Sequence, residues 1–137
     1  MKTEFKERRK YKRALFSIDQ GFIGQFDMKT SASRSSQSLM APILDISQGG
    51  IGFVLDPDNG REIGIDDHLL LTQLTISVGS HESVLSIKPD LPMTVRGKIA
   101  ADFLSHVGVG CDFAAIAPET WEEIKNFIKK TYPNCIV

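Results

Sequence analysis

Asp45-Ile46-Ser47-Gln48-Gly49-Gly50-Ile51-Gly52 is the stretch on which the reading of this chain turns. Short apolar runs flank it, Leu39 to Leu44 before and Ile51 to Leu55 after, and glycines between two such runs mark a turn between strands. A hairpin corner is therefore predicted. Asp45 and Ser47 are two residues apart, so in extended chain their side chains leave the same face, an anionic acceptor beside a small hydroxyl. Gly49, Gly50 and Gly52 have no Cβ, which permits φ > 0 and lets a planar or phosphorylated group come close to the backbone. An Asx-type turn, with the glycines serving geometry alone, accounts for the same residues. The corner by itself assigns no ligand.

Outward from the corner, strand follows strand. Ala14 to Met28 alternates loosely and reads as one long strand bent at Gly21 and Gly24. Thr30 to Ser38 is serine-rich, nearly free of apolar residues, and reads as a solvated loop. Downstream, Asp56-Pro57-Asp58-Asn59-Gly60 and Gly64 to Asp67 read as turns, and His68 to Val78 as a strand. Gly79 to Pro92 mixes turn residues with a short apolar piece and is left open. Met93 to Leu104 and Val107 to Phe113 read as two further strands linked by Ser105-His106. Short links between successive strands favour an antiparallel barrel or sandwich over a parallel sheet. The chain closes differently, with a helix over 118–131. Pro118 suits the first helical position, Glu119, Glu122 and Glu123 the positive end of the dipole, and Lys125, Lys129 and Lys130 the negative end. Trp121, Ile124, Phe127 and Ile128 form one apolar stripe that should dock on the sheet or close a barrel end.

With 137 residues, 42% of them hydrophobic, one domain with a full core is expected over 1–137. It divides into a flexible basic arm at 1–13, a body at 14–113 and the terminal helix. The overall charge of -1 conceals an asymmetry. Lys2, Lys6, Arg8, Arg9, Lys10, Lys12 and Arg13 against Glu4 and Glu7 give the arm +5, which leaves -6 for the rest of the chain. An arm this basic on an acidic body should seek an anion. Two cysteines, Cys111 and Cys135, make no disulfide framework or zinc site, and a reducing cytoplasm suits them best. No apolar run long enough for an export signal or a bilayer span is read, so no membrane insertion is expected.

The residues that carry chemistry exclude more than they assign. His68, His81 and His106 are scattered without metal-like spacing, so no metal is expected. The glycines near Gly50 precede a strand, whereas a dinucleotide loop must open a helix. Ser47 has no nucleophile elbow and no histidine near it in sequence, and no catalytic residue is assigned.

The arm ends Arg8-Arg9-Lys10-Tyr11-Lys12-Arg13, so Arg9-x-x-x-Arg13 stands before the first strand, and Asp45-x-Ser47-x-x-Gly50 follows. In this pairing and order the sequence resembles the PilZ family, whose mark is Arg-x-x-x-Arg followed by Asp/Asn-x-Ser-x-x-Gly. The likeness extends to Val107-Gly108-Val109-Gly110-Cys111-Asp112-Phe113 and the helix beyond. The 31 residues between Arg13 and Asp45 are at the long end for that family, and the serine-rich loop accounts for them. The resemblance implies a six-stranded antiparallel β-barrel with a C-terminal α-helix. It also implies a non-enzymatic receptor for the bacterial messenger cyclic di-GMP, needing no cofactor, with Arg8, Arg9, Arg13, Asp45, Ser47, Gly49 and Gly50 as its site. Arginine forks suit guanine O6 and N7, or a phosphate, and a carboxylate suits guanine N1–H and N2–H. Arm closure over the ligand would then signal to an unidentified effector protein in trans. The rival is a small barrel that binds nucleic acid or another polyanion through its arm. Nucleic acid is the weaker expectation, and a third reading, a fold that has lost its ligand and survives as an interaction module, is disfavoured by the intact five-residue match.

Overall fold

The computed structural model describes residues 12–28, 37–99 and 105–135. Its strands are β1 (Arg13–Leu15), β2 (Phe22–Met28), β3 (Gln37–Ser47), β4 (Gly50–Leu55), β5 (His68–Val78), β6 (His81–Ile99) and β7 (Val107–Phe113). Two helices join them, α1 (Pro57–Glu62) and α2 (Pro118–Thr131). Six strands run in the order β3-β2-β5-β6-β7-β4, every pair antiparallel, and the β3–β4 pairing closes the ring. This is the closed six-stranded barrel that the resemblance implied. The seventh strand, β1, lies along the end of β3 past the stretch that pairs with β2.

Alternation places the core. In β2 the residues Phe22, Phe26 and Met28 point inward and are buried, as are Val107, Val109, Cys111 and Phe113 in β7. Phe26 stacks on Phe53 with ring centroids 4.3 Å apart, which ties β2 to β4 across the barrel interior. Helix α2 buries Trp121, Ile124 and Ile128 in the same core. Its C-terminal neighbour Tyr132 donates its hydroxyl to the Gln20 carbonyl at 2.9 Å.

Several local readings change. The long strand over Ala14 to Met28 is two strands, β1 and β2, separated by a 3₁₀ turn at Ile18–Gln20. There the Ser17 N–H donates to Gln20 Oε1 at 2.8 Å and the Ser17 hydroxyl to Asp19 at 2.9 Å, so local polar bonds win over the ladder. Gly21 then turns the chain at φ 83°. The turn read at Asp56 to Gly60 is the start of α1, with Asp56 accepting from the Asn59 N–H at 2.9 Å and Pro57 in the first turn. Residues that begin turns also begin helices. Gly79 to Pro92, left open, is the β5–β6 hairpin and the first part of β6, with Gly79 at φ 61°. Strand β6 is described as far as Ile99, and 100–104 lie outside the described residues. Of the serine-rich loop, Gln37 and Ser38 belong to β3, and the rest is outside the description.

Candidate functional site

The corner is a hairpin, with β3 ending at Ser47 and β4 beginning at Gly50. Its glycines are not there for unusual dihedrals. Among the described residues the left-handed glycines are Gly21 and Gly79, neither of them at the corner. Gly50 is required by closeness instead, because a Cβ built on it would overlap the carbonyl oxygen of Cys111 on β7. Gly49 gives its carbonyl to the Phe113 N–H at 2.9 Å, so the turn is sewn to β7 as well. The Ser47 hydroxyl accepts from the Gly49 N–H at 3.1 Å, which leaves its own proton free to donate elsewhere.

Arg13, assigned to the arm by the sequence, opens β1 and pairs with Ser47, while Leu15 pairs with Asp45. Arg13 is thus diagonal to Asp45, within reach of a long side chain. Its Nη1 lies 3.6 Å from Asp45 Oδ2, with the two side chains 33% and 28% exposed, so the pair remains open to a ligand. A bulge at Leu44, between the Ile43–Phe53 and Asp45–Gly52 partners, sets the aim of Asp45.

From Asp45 one row of cross-strand partners runs around the outside of the barrel, Asp45 to Gly52 to Gly110 to Gly97. The rows beside it, Ile46, Ile51, Cys111 and Val95, face inward and are buried. Gly52 lies beneath the Asp45 carboxylate, where a Cβ would collide with it, and beyond it Gly110 and Gly97 on the next two strands leave backbone with open space above. These glycines, with Gly108, floor a groove of about 660 Å³ whose lining includes Arg13, Asp45, Ser47, Gly49, Gly50, Arg96 and Asp112. The groove brings together five of the seven residues assigned from the sequence. The other two, Arg8 and Arg9, lie outside the described residues.

Arg96, Gly97, Gly108, Gly110 and Asp112 also line the groove, and none of them is among the residues assigned from the sequence. Gly108 and Gly110 sat in the quoted Val107 to Phe113 run, but what makes them a floor is their register against β4 and β6. No pattern within one strand carries that. Lys98 also borders the groove, yet its ammonium is committed to the Ile63 carbonyl at 2.8 Å. Cys111, beneath the floor, is buried, and burial, aided by the charge of Asp112, pushes its thiol up to about 12. It is no nucleophile at neutral pH. Among the described residues no group of three or more His, Cys, Asp or Glu is placed to hold a metal ion.

A glycine-lined strip on the outer wall of a closed antiparallel barrel, bordered by an arginine–aspartate pair, has the shape and chemistry to accept a flat, polar ligand. The chain belongs to the PilZ domain family, which matches it over residues 7–130. Among solved structures it is similar to the PilZ domain of Escherichia coli YcgR with c-di-GMP, at 15% identity and TM-score 0.62, covering 93% of each chain. It is also similar to the Bacillus subtilis inhibitor of motility MotI/DgrA, at 15% identity and TM-score 0.58, over 94% of this chain and 54% of that one. The K. pneumonia MrkH–c-di-GMP complex gives 17% identity and TM-score 0.55, over 93% and 55%. This chain therefore spans about half the length of the last two. Comparison with curated proteins finds no match.

Proposed function

We propose that this protein is a receptor for cyclic di-GMP and that the glycine-floored groove is where the messenger binds. Membership of the PilZ family supports the reading, as do the c-di-GMP complexes among the structures it resembles. The observation that carries it is the Arg13–Asp45 pair, 3.6 Å apart at the head of a row of glycines. A guanine laid on that row offers N1–H and N2–H to the Asp45 carboxylate. It presents O6 and N7 to a guanidinium fork, or its face for Arg13 to lie on. Ser47 donates its free hydroxyl proton to the ligand. The Arg13–Asp45 pair is partly open to solvent and, at 3.6 Å, is worth little by itself, so its exchange for ligand contacts is easily offset.

Arg8 and Arg9 join the ligand from the arm, and binding changes a surface that an effector protein reads. Binding, not turnover, is the activity proposed. The unpaired thiols of Cys111 and Cys135 support a cytoplasmic setting. Among the described residues no helix is long and apolar enough to cross a membrane.

Isothermal titration with cyclic di-GMP and cyclic di-AMP tests the reading. Wild type should bind the guanine ligand and discriminate against the adenine one, whose exocyclic amine replaces the O6 acceptor. Arg13→Ala should weaken binding by about 5- to 150-fold, the scale of one bidentate guanine contact. No heat with the wild-type protein would refute the receptor. Binding that tolerates Arg13→Lys but fades steeply with salt would favour a polyanion instead.

A further inference from the structure

We infer that Arg96 is a further ligand-binding residue of this groove, a phosphate contact that Asp112 restrains until the ligand arrives. The inference rests on the cyclic di-GMP reading and deepens it. Arg96 is the inserted residue of a β-bulge, since Val95 pairs with Cys111 and Gly97 already pairs with Gly110. Bulges of this kind re-aim a side chain beside a site. Here the bulge sets a guanidinium at the end of the glycine row opposite Asp45, three strands away, or about 14 Å of sheet. A cyclic dinucleotide whose guanine rests at Asp45 extends its phosphoribose ring along that row toward Arg96.

The guanidinium already engages two carboxylates. Its Nε donates to Asp112 Oδ2 at 3.3 Å and its Nη1 to Asp66 Oδ1 at 3.1 Å. Asp112 lines the groove beside Arg96, and its side chain is 64% exposed. Asp66 approaches from the turn before β5 in a left-handed conformation, φ 74°. That turn is fixed to β6 just before the bulge, where the Asp66 N–H donates to the Val95 carbonyl and the Val95 N–H to the Asp67 carbonyl, each at 2.9 Å. The two contacts fix the guanidinium at the edge of the groove, between the Asp66 turn and β7. Exposed ion pairs shift an equilibrium by at most about fivefold, whereas a charge-assisted contact to a ligand oxyanion contributes about 10- to 150-fold. A ligand phosphate therefore displaces the Asp112 carboxylate from the guanidinium. Asp112 then stands near that phosphate as a repelling charge.

This makes the two partners act with opposite signs. Titration of cyclic di-GMP into the whole chain should show Arg96→Ala binding about 10- to 100-fold more weakly and Asp112→Asn about two- to fivefold more tightly. Arg96→Lys should retain most of the affinity, because a phosphate accepts a point charge where a guanine edge needs the fork. Circular dichroism melts should place all three variants close to wild type. A purely structural Arg96, tying β6 to β7 and to the Asp66 turn, would give the opposite pattern: Arg96→Ala and Asp112→Asn both melt early and neither changes affinity. That result, or wild-type binding unaltered in Arg96→Ala, overturns the inference and leaves the receptor standing. Arg96→Lys as weak as Arg96→Ala overturns the phosphate contact. A wild-type chain that ignores cyclic di-GMP overturns the receptor and this inference with it.

Discussion

Gly50 and Gly110 lie on neighbouring strands, and the absence of a side chain serves different ends at the two positions. At Gly50 a Cβ collides with the Cys111 carbonyl, so Gly50→Ala forces β4 away from β7 and should lower stability by about 1–3 kcal/mol in urea unfolding. At Gly110 a Cβ would meet nothing within 4 Å, and the fold makes no demand for glycine there. Glycine inside a strand is unfavourable by roughly 0.5–1 kcal/mol, and such a position marks a place where another molecule approaches the backbone. Gly110→Thr should therefore melt at or above wild type while cyclic di-GMP titration shows binding lost. A variant that binds normally would remove the floor from the account. Asp45, Ser47 and Gly50 were legible in the sequence because they fall within six residues of one corner, whereas Gly97, Gly110 and Arg96 become neighbours only through strand pairing. Beneath the floor, Cys111 links residue chemistry to pH. Its thiol is raised from 9.0 to about 12 in the folded protein, so the fold favours the protonated form. That stabilisation is complete below pH 9 and is lost as pH climbs from about 9 toward 12. Comparing urea midpoints near neutrality and at about pH 10.5, Cys111→Val should lose less stability than wild type. An equal loss in both would assign the alkaline sensitivity to other groups.

Among the elements, those with an unbroken period were legible. Strand β7 and helix α2 stand where alternation or the three-and-four spacing placed them, because each has one buried face from end to end, and β5 stands in place although its period shifts between Leu71 and Gln73. The elements that escaped had a broken period. In β6 the ladder slips against β5 opposite Leu71/Gln73 and against β7 at Val95/Gly97, so no single alternation runs through its 19 residues. At Ser17–Gln20 and Asp56–Asn59, short polar side chains bond their own backbone and override the strand or turn that composition implied. Helix α2 is joined to the barrel by its apolar stripe, and Ile124 at its centre is fully buried. Ile124→Ala should cost about 2–5 kcal/mol in denaturant unfolding. Exposed Glu123→Ala on the same helix should cost far less. A mild effect at Ile124 would mean that α2 is an appendage and not part of the core.

For the molecule as a whole, the barrel supplies one wall of the proposed site and the ligand would complete it. Leu15 and Ile99, 67% and 70% exposed, are the most exposed large apolar side chains among the described residues, and they sit beside Asp45 and Gly108 respectively. At the proposed site a bound dinucleotide would cover Ile99, which lines the groove, together with the cationic rim, and so would add to the stability of the folded state by mass action. At free cyclic di-GMP of about 100 times Kd the gain is about 2.7 kcal/mol, because only the folded chain presents Arg13, Asp45 and the glycine row together. For a domain of this size that raises the melting temperature by roughly 8–13 °C. The shift should grow with the logarithm of ligand concentration in wild type and shrink in Arg13→Ala at equal concentration. Cyclic di-AMP has the same ring phosphates but not the guanine edge, so it should produce little shift. Melting curves that respond equally to both messengers would mean that the groove recognises charge alone, and Asp45 would have no base to read.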